Sequence, residues 1–387
     1  MEYKKINELT AVVTGGTPST RKNEYWDNGD IPWLQSGCCQ NCDVDSTEKY
    51  ITKEGYNNSS THMMPADTVM IALTGATAGK VGYLKFEACG NQSITGILPC
   101  ESLNQRYLFF YLLSQREKIL ADCVGGAQAH ISQSYVKNMT IPILAIKEQE
   151  QIVGELTKLS NIVSLRQEEI QQLDALIKAR FVELFGDAIH NDKGWENDTV
   201  EKLCKEIYGG GTPSKSHPEY YEDGDIPWVS SKDMKTDVLT DSQIKINQLG
   251  VDNSTARMIP INSVIMVIRS GILKHTLPVA INAVPITVNQ DLKVFIPNER
   301  VLTRFLAIQF KMHEKDILSG VRAVTADNIE FNSLKQRELI VPPIELQQEY
   351  VTFLEQIDKS KFDTMTLAPI YAIINLYLYT YFYQGKR

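Results

Sequence analysis

The sequence contains no long hydrophobic run. Its longest apolar stretch, residues 371–383, is interrupted by Asn375 and Thr380, whereas a membrane-spanning helix needs about 20 apolar residues. The opening residues, Met-Glu-Tyr-Lys-Lys, also lack the apolar centre of a secretion signal. We therefore expect a cytoplasmic protein with no membrane partner.

Cysteine is scarce, and the chain has an odd number of cysteines, seven. An odd number argues for a reducing compartment and against a disulfide framework. Cys39-x-x-Cys42, beside Cys38, resembles half of a zinc knuckle, but no second Cys-x-x-Cys or His pair follows to complete four ligands. We predict no metal site.

Catalytic motifs are missing as well. The sequence lacks Gly-x4-Gly-Lys-Ser/Thr, the loop that holds nucleotide phosphates, and Asn/Asp-Pro-Pro-Tyr/Phe, the methyltransferase motif. The six histidines form no triad and no metal-binding spacing. We predict that the chain alone is not an enzyme and holds no cofactor.

The chain does contain a long internal duplication. Residues 15–19, Gly-Gly-Thr-Pro-Ser, recur at 210–214, and residues 29–33, Gly-Asp-Ile-Pro-Trp, recur at 224–228. Between these limits 12 of 19 positions are identical at a constant offset of 195. A repeat of nearly 200 residues is far longer than a solenoid unit. The sequence therefore predicts two copies of a whole domain, able to bind two similar objects.

The shared motifs are typical of a scaffold. Paired glycines suit a tight turn or a close approach of two backbones. Gly-Asp-Ile-Pro-Trp is typical of a turn that leads into a strand, with Trp33 and Trp228 as core anchors. Asn91-Gln92 matches Asn289-Gln290 at an offset of 198. Because this pair is the same in both copies, we expect a scaffold or interface role for it.

The net charge of −8 is unfavourable for binding nucleic acid, but it is distributed unevenly. Residues 1–146 carry −2, residues 147–198 carry −5, residues 199–343 are neutral and residues 344–387 carry −1. The acidic excess lies mostly in the central connector. The repeated domains are near neutral, which leaves room for a local basic groove.

The connectors have the pattern of long helices. Residues 147–185 contain no proline, and their apolar residues from Ile152 to Leu184 follow spacings of three, four and seven. Gly186 supplies a C-cap. A second helix is predicted to begin near Glu345, with a kink or break at Pro369. The two helices are predicted to pack together antiparallel; the alternative is that each folds back on its own domain.

Within each copy the pattern alternates between strands and helices. Residues 68–73 and 263–268 are predicted buried strands, and residues 106–120 and 303–318 are predicted helices. The predicted fold is mixed α/β (α+β), with two similar globular domains separated by two long antiparallel coiled-coil helices. The predicted divisions are domains at 1–146 and 199–343, a helix and linker at 147–198, and a last helix at 344–387.

With these motifs the chain resembles the specificity subunits of type I restriction-modification systems, over essentially its whole length. The resemblance rests on the repeated block, on Gly75-x3-Gly79-Lys80-Val81-Gly82 and on the two Asn-Gln pairs. It also rests on the helix entries at residues 141–153 and 341–347. Residues 144–146, Leu346 and Pro369 depart from the family pattern.

The resemblance implies two target-recognition domains that each read one half of a bipartite site in double-stranded DNA. It implies two methyltransferase (modification) subunits as partners, which bind S-adenosylmethionine and methylate adenine. A restriction subunit with a translocase motor, using ATP and Mg, is a further implied partner.

Base edges are read by Arg, Lys, Asn, Gln, Ser or Thr on exposed loops, and phosphates by Lys, Arg or backbone amides. Residues of these types, with histidines, lie beside the shared scaffold and mostly differ between the copies. The candidates are Arg21, Lys22, Gln35, Ser36, Thr74, Thr77, Lys80, Gln128 and His130 in the first copy, and Lys215, Ser230, Ser231, Lys232, Arg269, Lys274, His275 and Arg322 in the second.

Three other functions stay open at this point. A bipartite type II system uses a similar specificity subunit with a fused nuclease-methyltransferase partner. A protein-interaction scaffold with two lobes suits the slightly acidic domains but does not explain the twice-used motif block. A stand-alone enzyme is disfavoured by the missing catalytic motifs.

Overall fold

The computed structural model describes residues 2–122, 130–320, 322–323 and 327–365, together with 374, 376–378 and 381. Gln128, Pro369 and most of the apolar stretch 371–383 lie outside these residues. By its internal contacts the chain divides into two compact units. Unit 1 comprises Met1–Glu168 with Met365–Arg387, and unit 2 comprises Glu169–Thr364.

The named strands and helices in the described part of unit 1 run from β1 to the start of α6, a helix that begins in this unit. In chain order these are β1 (Glu2–Lys5), α1 (Ile6–Leu9), β2 (Val12–Thr14), β3 (Ile31–Leu34), β4 (Cys42–Val44), β5 (Tyr50–Ile51), α2 (Lys53–Asn57), β6 (Val69–Ala72), β7 (Val81–Leu84), β8 (Cys89–Gly90), β9 (Ile94–Ile97), α3 (Gln105–Ser114), α4 (Arg116–Ala121), α5 (Gln133–Asn138), β10 (Thr140–Ile143) and α6 (Ile146–Phe185).

Helix α6 ends in unit 2, whose own elements repeat the order given for unit 1, with β20 and β21 in addition. They are β11 (Asn197–Thr199), α7 (Val200–Leu203), β12 (Cys204–Gly209), β13 (Ile226–Val229), β14 (Val238–Leu239), β15 (Lys245–Ile246), α8 (Gln248–Asp252), β16 (Val264–Val267), β17 (Val279–Asn282), β18 (Thr287–Val288), β19 (Leu292–Pro297), α9 (Thr303–Met312), α10 (Glu314–Ser319), β20 (Arg322–Ala323), β21 (Asp327–Asn328), α11 (Phe331–Lys335), β22 (Glu338–Ile340) and α12 (Ile344–Met365).

The five-stranded and three-stranded sheets of the two units correspond strand for strand. The five-stranded sheet has the order β2-β9-β6-β7-β4 in unit 1 and β12-β19-β16-β17-β14 in unit 2. The three-stranded sheet has the order β5-β3-β8 and β15-β13-β18. The parallel pairs recur too, since β3 runs parallel to β8 and β13 to β18. This confirms the predicted mixed α/β fold with two similar domains.

The shared glycines hold two backbones in close contact. A Cβ atom on Gly15 would lie 2.1 Å from the Gly90 carbonyl oxygen, and one on Gly210 would lie 2.0 Å from that of Val288. Beside this contact the indole of Trp33 donates to the carbonyl of Gly16 at 2.9 Å. The indole of Trp228 does the same in unit 2, at 3.0 Å to Gly211. Both indoles are buried, which confirms them as core anchors.

The long helix is confirmed, with α6 one residue longer than predicted and closed by Gly186 at φ +74°. Its second half packs against α12 within unit 2. Tyr350 donates to the Ile177 carbonyl at 3.0 Å, Arg180 pairs with Glu349 at 2.7 Å, and Lys361 pairs with Asp174. Residues later in α12 contact residues earlier in α6, so the two helices run antiparallel.

Each half of α6 also packs on the core of its own unit. Ile152 and Leu156 lie in the unit 1 core together with Ile374 and Leu378. Phe181 and Phe185 lie in the unit 2 core, where they contact Phe305 and Tyr350. Both arrangements that the sequence leaves open therefore occur: α6 packs antiparallel to α12, and each half of α6 packs back on its own unit.

The strands predicted at 68–73 and 263–268 are confirmed as β6 and β16. The single helices predicted at 106–120 and 303–318 are wrong, because each is two helices. The breaks lie at Gln115 (φ −82°, ψ 1°) and His313 (φ −85°, ψ 3°), whose ψ values depart from a helix. Beyond the breaks, Ile119 and Ile317 are buried in the cores of their units. No helix among the described residues is long and apolar enough to cross a membrane.

The glycine contact predicts a large effect of adding one methyl group. We expect Gly15→Ala to destabilise unit 1 by about 2–3 kcal/mol, because its Cβ would overlap a backbone oxygen that cannot move aside. Gly154→Ala is the control: its Cβ meets nothing within 4 Å on an exposed face of α6, so about 0.5–1 kcal/mol of stabilisation is expected. Thermal unfolding of both variants measures the difference; equal midpoints would contradict the close contact.

Candidate nucleic-acid interface

Three loops of unit 1 meet at the turn formed by residues 91–93. Gly16 N–H donates to the Gly90 carbonyl at 2.7 Å, which attaches the glycine loop. Asn91 N–H donates to Leu34 at the end of β3, at 2.8 Å. Leu73 N–H, just after β6, donates to Ser93 at 2.8 Å. The loops that carry the predicted reading residues therefore share one edge of the unit.

The Asn-Gln pair organises this turn in both units. Asn91 Oδ1 accepts from Ser93 N–H at 3.2 Å, and Gln92 Oε1 accepts from the Thr17 hydroxyl at 2.6 Å. In unit 2, Asn289 Oδ1 accepts from Asp291 N–H at 3.1 Å, and Gln290 accepts from the Thr212 hydroxyl. Both side chains of the pair thus serve the scaffold.

The first predicted residues of unit 1 lie along the glycine loop and the end of β3. Arg21 and Lys22 are exposed. The ammonium of Lys22 donates to the Tyr25 hydroxyl at 2.9 Å and pairs with Glu24 at 3.4 Å, and these contacts raise its pKa. Gln35 is exposed directly after β3, and Ser36 beside it is half-buried.

The other predicted residues of unit 1 surround the turn after β6. Thr74 forms an isolated antiparallel bridge with His130, so the structure brings these two together. The Thr77 hydroxyl donates to the Thr74 carbonyl at 3.4 Å. Lys80 donates to Gln40 at 2.6 Å, which places it beside the loop of Gln35 and Ser36.

A cleft of about 770 Å³ lies beside these loops. Gln35, Gln92 and Lys49 line it together with the aromatic rings of Trp26 and Tyr50. Sequence reasoning missed Lys49. The carbonyl of Lys49 accepts from Trp33 N–H as the carbonyl of Ile244 accepts from Trp228 N–H, so the two positions are equivalent. The sequence carried this signal, because the offset of 195 aligns a charged residue at 49 with an apolar one at 244.

In unit 2 the predicted residues after β13 form a capped turn. Asp233 accepts from both the N–H and the hydroxyl of Ser230 at 2.8 Å. Ser231 is half-buried and Lys232 is exposed on the same turn. Lys215 is exposed in the second glycine loop.

The remaining predicted residues of unit 2 follow β16. Arg269 forms an isolated bridge with Asn328, and Asn328 also pairs with Arg322 between β20 and β21. The structure therefore brings the backbones of the two arginines to one segment. Lys274 and His275 are exposed at the end of a 3-10 turn, Gly271–Lys274, that follows Arg269.

Two charged residues at this edge were missed by sequence reasoning. Asp291 pairs with Arg269, with 2.7 Å from Nε and 2.6 Å from Nη2 to Oδ1. Lys293, two residues along β19, lies 4.5 Å from the centre of the Phe331 ring. Burial, and then the charge of Arg269, lower the pKa of Lys293.

The cysteine cluster carries no metal geometry. No group of three His, Cys, Asp or Glu side chains within the described ranges could hold a metal ion. Cys38, Cys39, Cys42, Cys89, Cys100 and Cys204 are free thiols.

The geometry agrees with comparisons to known proteins. The profile of the type I restriction modification DNA specificity domain matches residues 1–175 and again residues 192–370. The chain therefore belongs to the family of type I restriction-modification DNA specificity proteins. This confirms the family that the sequence resembles.

Two relatives are themselves specificity subunits of type I restriction enzymes. The EcoR124I/EcoR124II specificity subunit of Escherichia coli is 38% identical over 176 residues, which span 44% of this chain and 42% of that protein. The MjaIX specificity subunit of Methanocaldococcus jannaschii is 24% identical over 381 residues, 92% of this chain and 86% of that protein.

Two solved structures share the fold. The type I S subunit from M. genitalium has a TM-score of 0.56 at 14% identity, covering 97% of this chain and 93% of its own. A chain from a study of complex assembly and conformational transition in the type I R-M system has a TM-score of 0.53 at 16% identity, with coverages of 97% and 94%.

Lys80 offers a test of the interface that does not depend on the target sequence. If its ammonium contacts a phosphate, Lys80→Ala should weaken binding to all DNA sequences alike and flatten the slope of log K against log salt by about 1. Lys85→Ala is the matched control, because Lys80 and Lys85 flank opposite ends of β7. Binding of the assembled complex at several salt concentrations measures both. Equal losses of DNA affinity in the two variants would contradict a phosphate contact by Lys80.

Proposed function

We propose that the chain recognises a bipartite DNA target, one half-site per unit, and directs adenine methyltransferase subunits to it. One observation carries the proposal: the same loop framework holds different polar side chains in the two units. Thr74 and Ser93 in unit 1 correspond to Arg269 and Asp291 in unit 2. A common backbone with divergent polar side chains is what two half-sites of different sequence require.

The chemistry of the loops supports reading from the major groove. Amide and hydroxyl side chains such as Gln35 and Ser230 can pair with base edges, and lysines such as Lys215 and Lys232 can pair with phosphates. The cleft beside Gln35 adds aromatic surface from Trp26. The candidate residues of both copies stand as the proposed contacts.

The chain needs partners for chemistry. We assign S-adenosylmethionine to two methyltransferase subunits, and ATP with Mg to a restriction subunit with a translocase motor, all in the cytoplasm. Exposed apolar side chains support docking along α6. Ile162 and Leu165 are exposed on its unit 1 half, and Leu176 and Val182 on its unit 2 half. Ile162 and Leu165 are three residues apart and so share one face of the helix, and contiguous exposed apolar surface marks a site of protein contact.

The function is tested by reconstitution. The purified chain alone should transfer no methyl group from S-adenosylmethionine to DNA. The chain with its methyltransferase subunits should methylate adenine at one interrupted sequence, which genome-wide mapping of methyladenine identifies. Methyl transfer by the chain alone, or a methylated motif unchanged when the chain is omitted, would refute the proposal.

The independence of the two units gives a further prediction. Exchange of residues 1–146 for the same region of a family member with another target should change one half of the methylated motif. The other half should stay, because no loop of unit 2 is altered. Exchange of residues 199–343 is the reciprocal control and should change only the other half. A change in both halves, or in neither, would rule out one reader per unit.

A further inference from the structure

The guanidinium of Arg269 is bound by the carboxylate of Asp291, which is in turn bound by the side chain of Asn289. Asp291 Oδ1 accepts from both Nε and Nη2 of Arg269, at 2.7 and 2.6 Å. The other carboxylate oxygen of Asp291 accepts from Asn289 Nδ2 at 3.1 Å. Asn289 is buried, and its own Oδ1 accepts from Asp291 N–H at 3.1 Å. The guanidinium is therefore oriented through a carboxylate whose position the scaffold fixes.

Unit 1 shows that the fold does not need this ion pair. Thr74 and Ser93 occupy the same places, since Leu73 N–H donates to Ser93 as Ile268 N–H donates to Asp291. Thr74 bridges His130 as Arg269 bridges Asn328. The neighbouring strands β6 and β9 pair in unit 1, and β16 and β19 pair in unit 2, through complete backbone ladders. The charge pair is thus an addition in unit 2 to a backbone that forms without it.

The free edge of the guanidinium suits a guanine. With Nε and one hydrogen of Nη2 directed at Asp291, the two hydrogens of Nη1 and one of Nη2 remain for another partner. The side chain of Arg269 is 48% exposed even with Asp291 paired to it. Two parallel N–H donors match O6 and N7 of guanine in the major groove. Fixing the side chain in advance lowers the entropic cost of binding.

The basic side chains around the ion pair favour a nucleic acid as the ligand of this surface. Lys293 stands two residues from Asp291 in the chain, and burial, followed by the charge of Arg269, lowers its pKa, so a second basic side chain accompanies the pair. Lys274 and His275 are exposed in the next turn. Phosphates alongside the base would stabilise this cluster.

We propose that Arg269 reads a guanine in the second half-site and that Asp291 is the positioning residue that orients it. This inference rests on the proposed function and names the base that one side chain of unit 2 recognises. Unit 1, with Thr74 and Ser93, has no bidentate cation at the equivalent place and reads that position by other chemistry.

The test uses the chain assembled with its methyltransferase subunits, and DNA probes carrying the mapped motif. Each guanine of the second half-site is replaced in turn by 7-deazaguanine, which lacks the N7 acceptor but keeps Watson–Crick pairing. We expect one replacement to weaken binding of the wild type roughly 5- to 100-fold. The same replacement should leave the binding of Arg269→Ala unchanged, because that variant has already lost the contact.

Two further variants separate positioning from structure. Arg269→Lys keeps the charge but not the paired donors, so it should lose the preference for guanine at that one position. Asp291→Asn keeps the shape and should reduce the 7-deazaguanine effect while the thermal midpoint stays close to wild type. Arg257→Ala is the matched control, since Arg257 pairs with Glu206 at 3.0 Å, far along the sheet from Asp291. It should keep the full 7-deazaguanine effect.

The outcomes separate this inference from the function on which it rests. If no motif depends on the chain, the proposed function fails. If a motif exists but its second half-site contains no guanine, or no 7-deazaguanine probe distinguishes wild type from Arg269→Ala, the inference fails and the function stands. An Arg269→Ala complex that keeps the first half-site and accepts any base at one position of the second supports it. A change in the first half-site instead overturns it.

Discussion

The candidate interface depends on the contact between a glycine pair and the strand end that faces it. Gly15 and Gly210 pack so tightly on a carbonyl that no side chain fits. The buried indoles of Trp33 and Trp228 then bind the carbonyl of the next glycine. This contact attaches the glycine loop to the Asn-Gln turn, and that turn bonds to the ends of two further strands. Three loops from distant parts of the chain therefore share one edge only because two backbones touch.

A second contact joins each recognition unit to its long helix. The side chain of Gln149 is fully buried and accepts from Asn104 N–H at 2.8 Å, and its amide donates to the Leu144 carbonyl at 2.9 Å. Gln347 does the same at the start of α12, accepting from Leu302 N–H and donating to Pro342. Because a buried amide must satisfy both its donors and its acceptor, these residues fix where each helix begins on its unit. The scaffold is thus constant from the loops to the helices, and the side chains at the loop edge are free to differ.

Prediction from sequence succeeded where the signal was local or repeated. The heptad spacing of residues 147–185 was sufficient for α6, and buried strands at β6 and β16 followed from unbroken apolar runs. It failed at Gln115 and His313, because a break of a single residue inside an apolar helical pattern leaves no local mark in the sequence. It recognised Arg269 as a candidate but not Asp291. Only the pairing of β16 with β19 places that carboxylate on that guanidinium.

The sequence by itself determined the duplication, the family, the two long helices and the scaffold role of the shared motifs. Each of these depends on residue identity at a spacing that can be read along one chain. The tertiary structure decided which loops share an edge. It also decided that α6 packs both on α12 and on the cores of the units, and that Asp291, bound by Asn289, orients Arg269. The physical reason is range: periodicity and turn chemistry act between neighbours in sequence, whereas hydrogen bonds and ion pairs form wherever folding brings a donor to an acceptor.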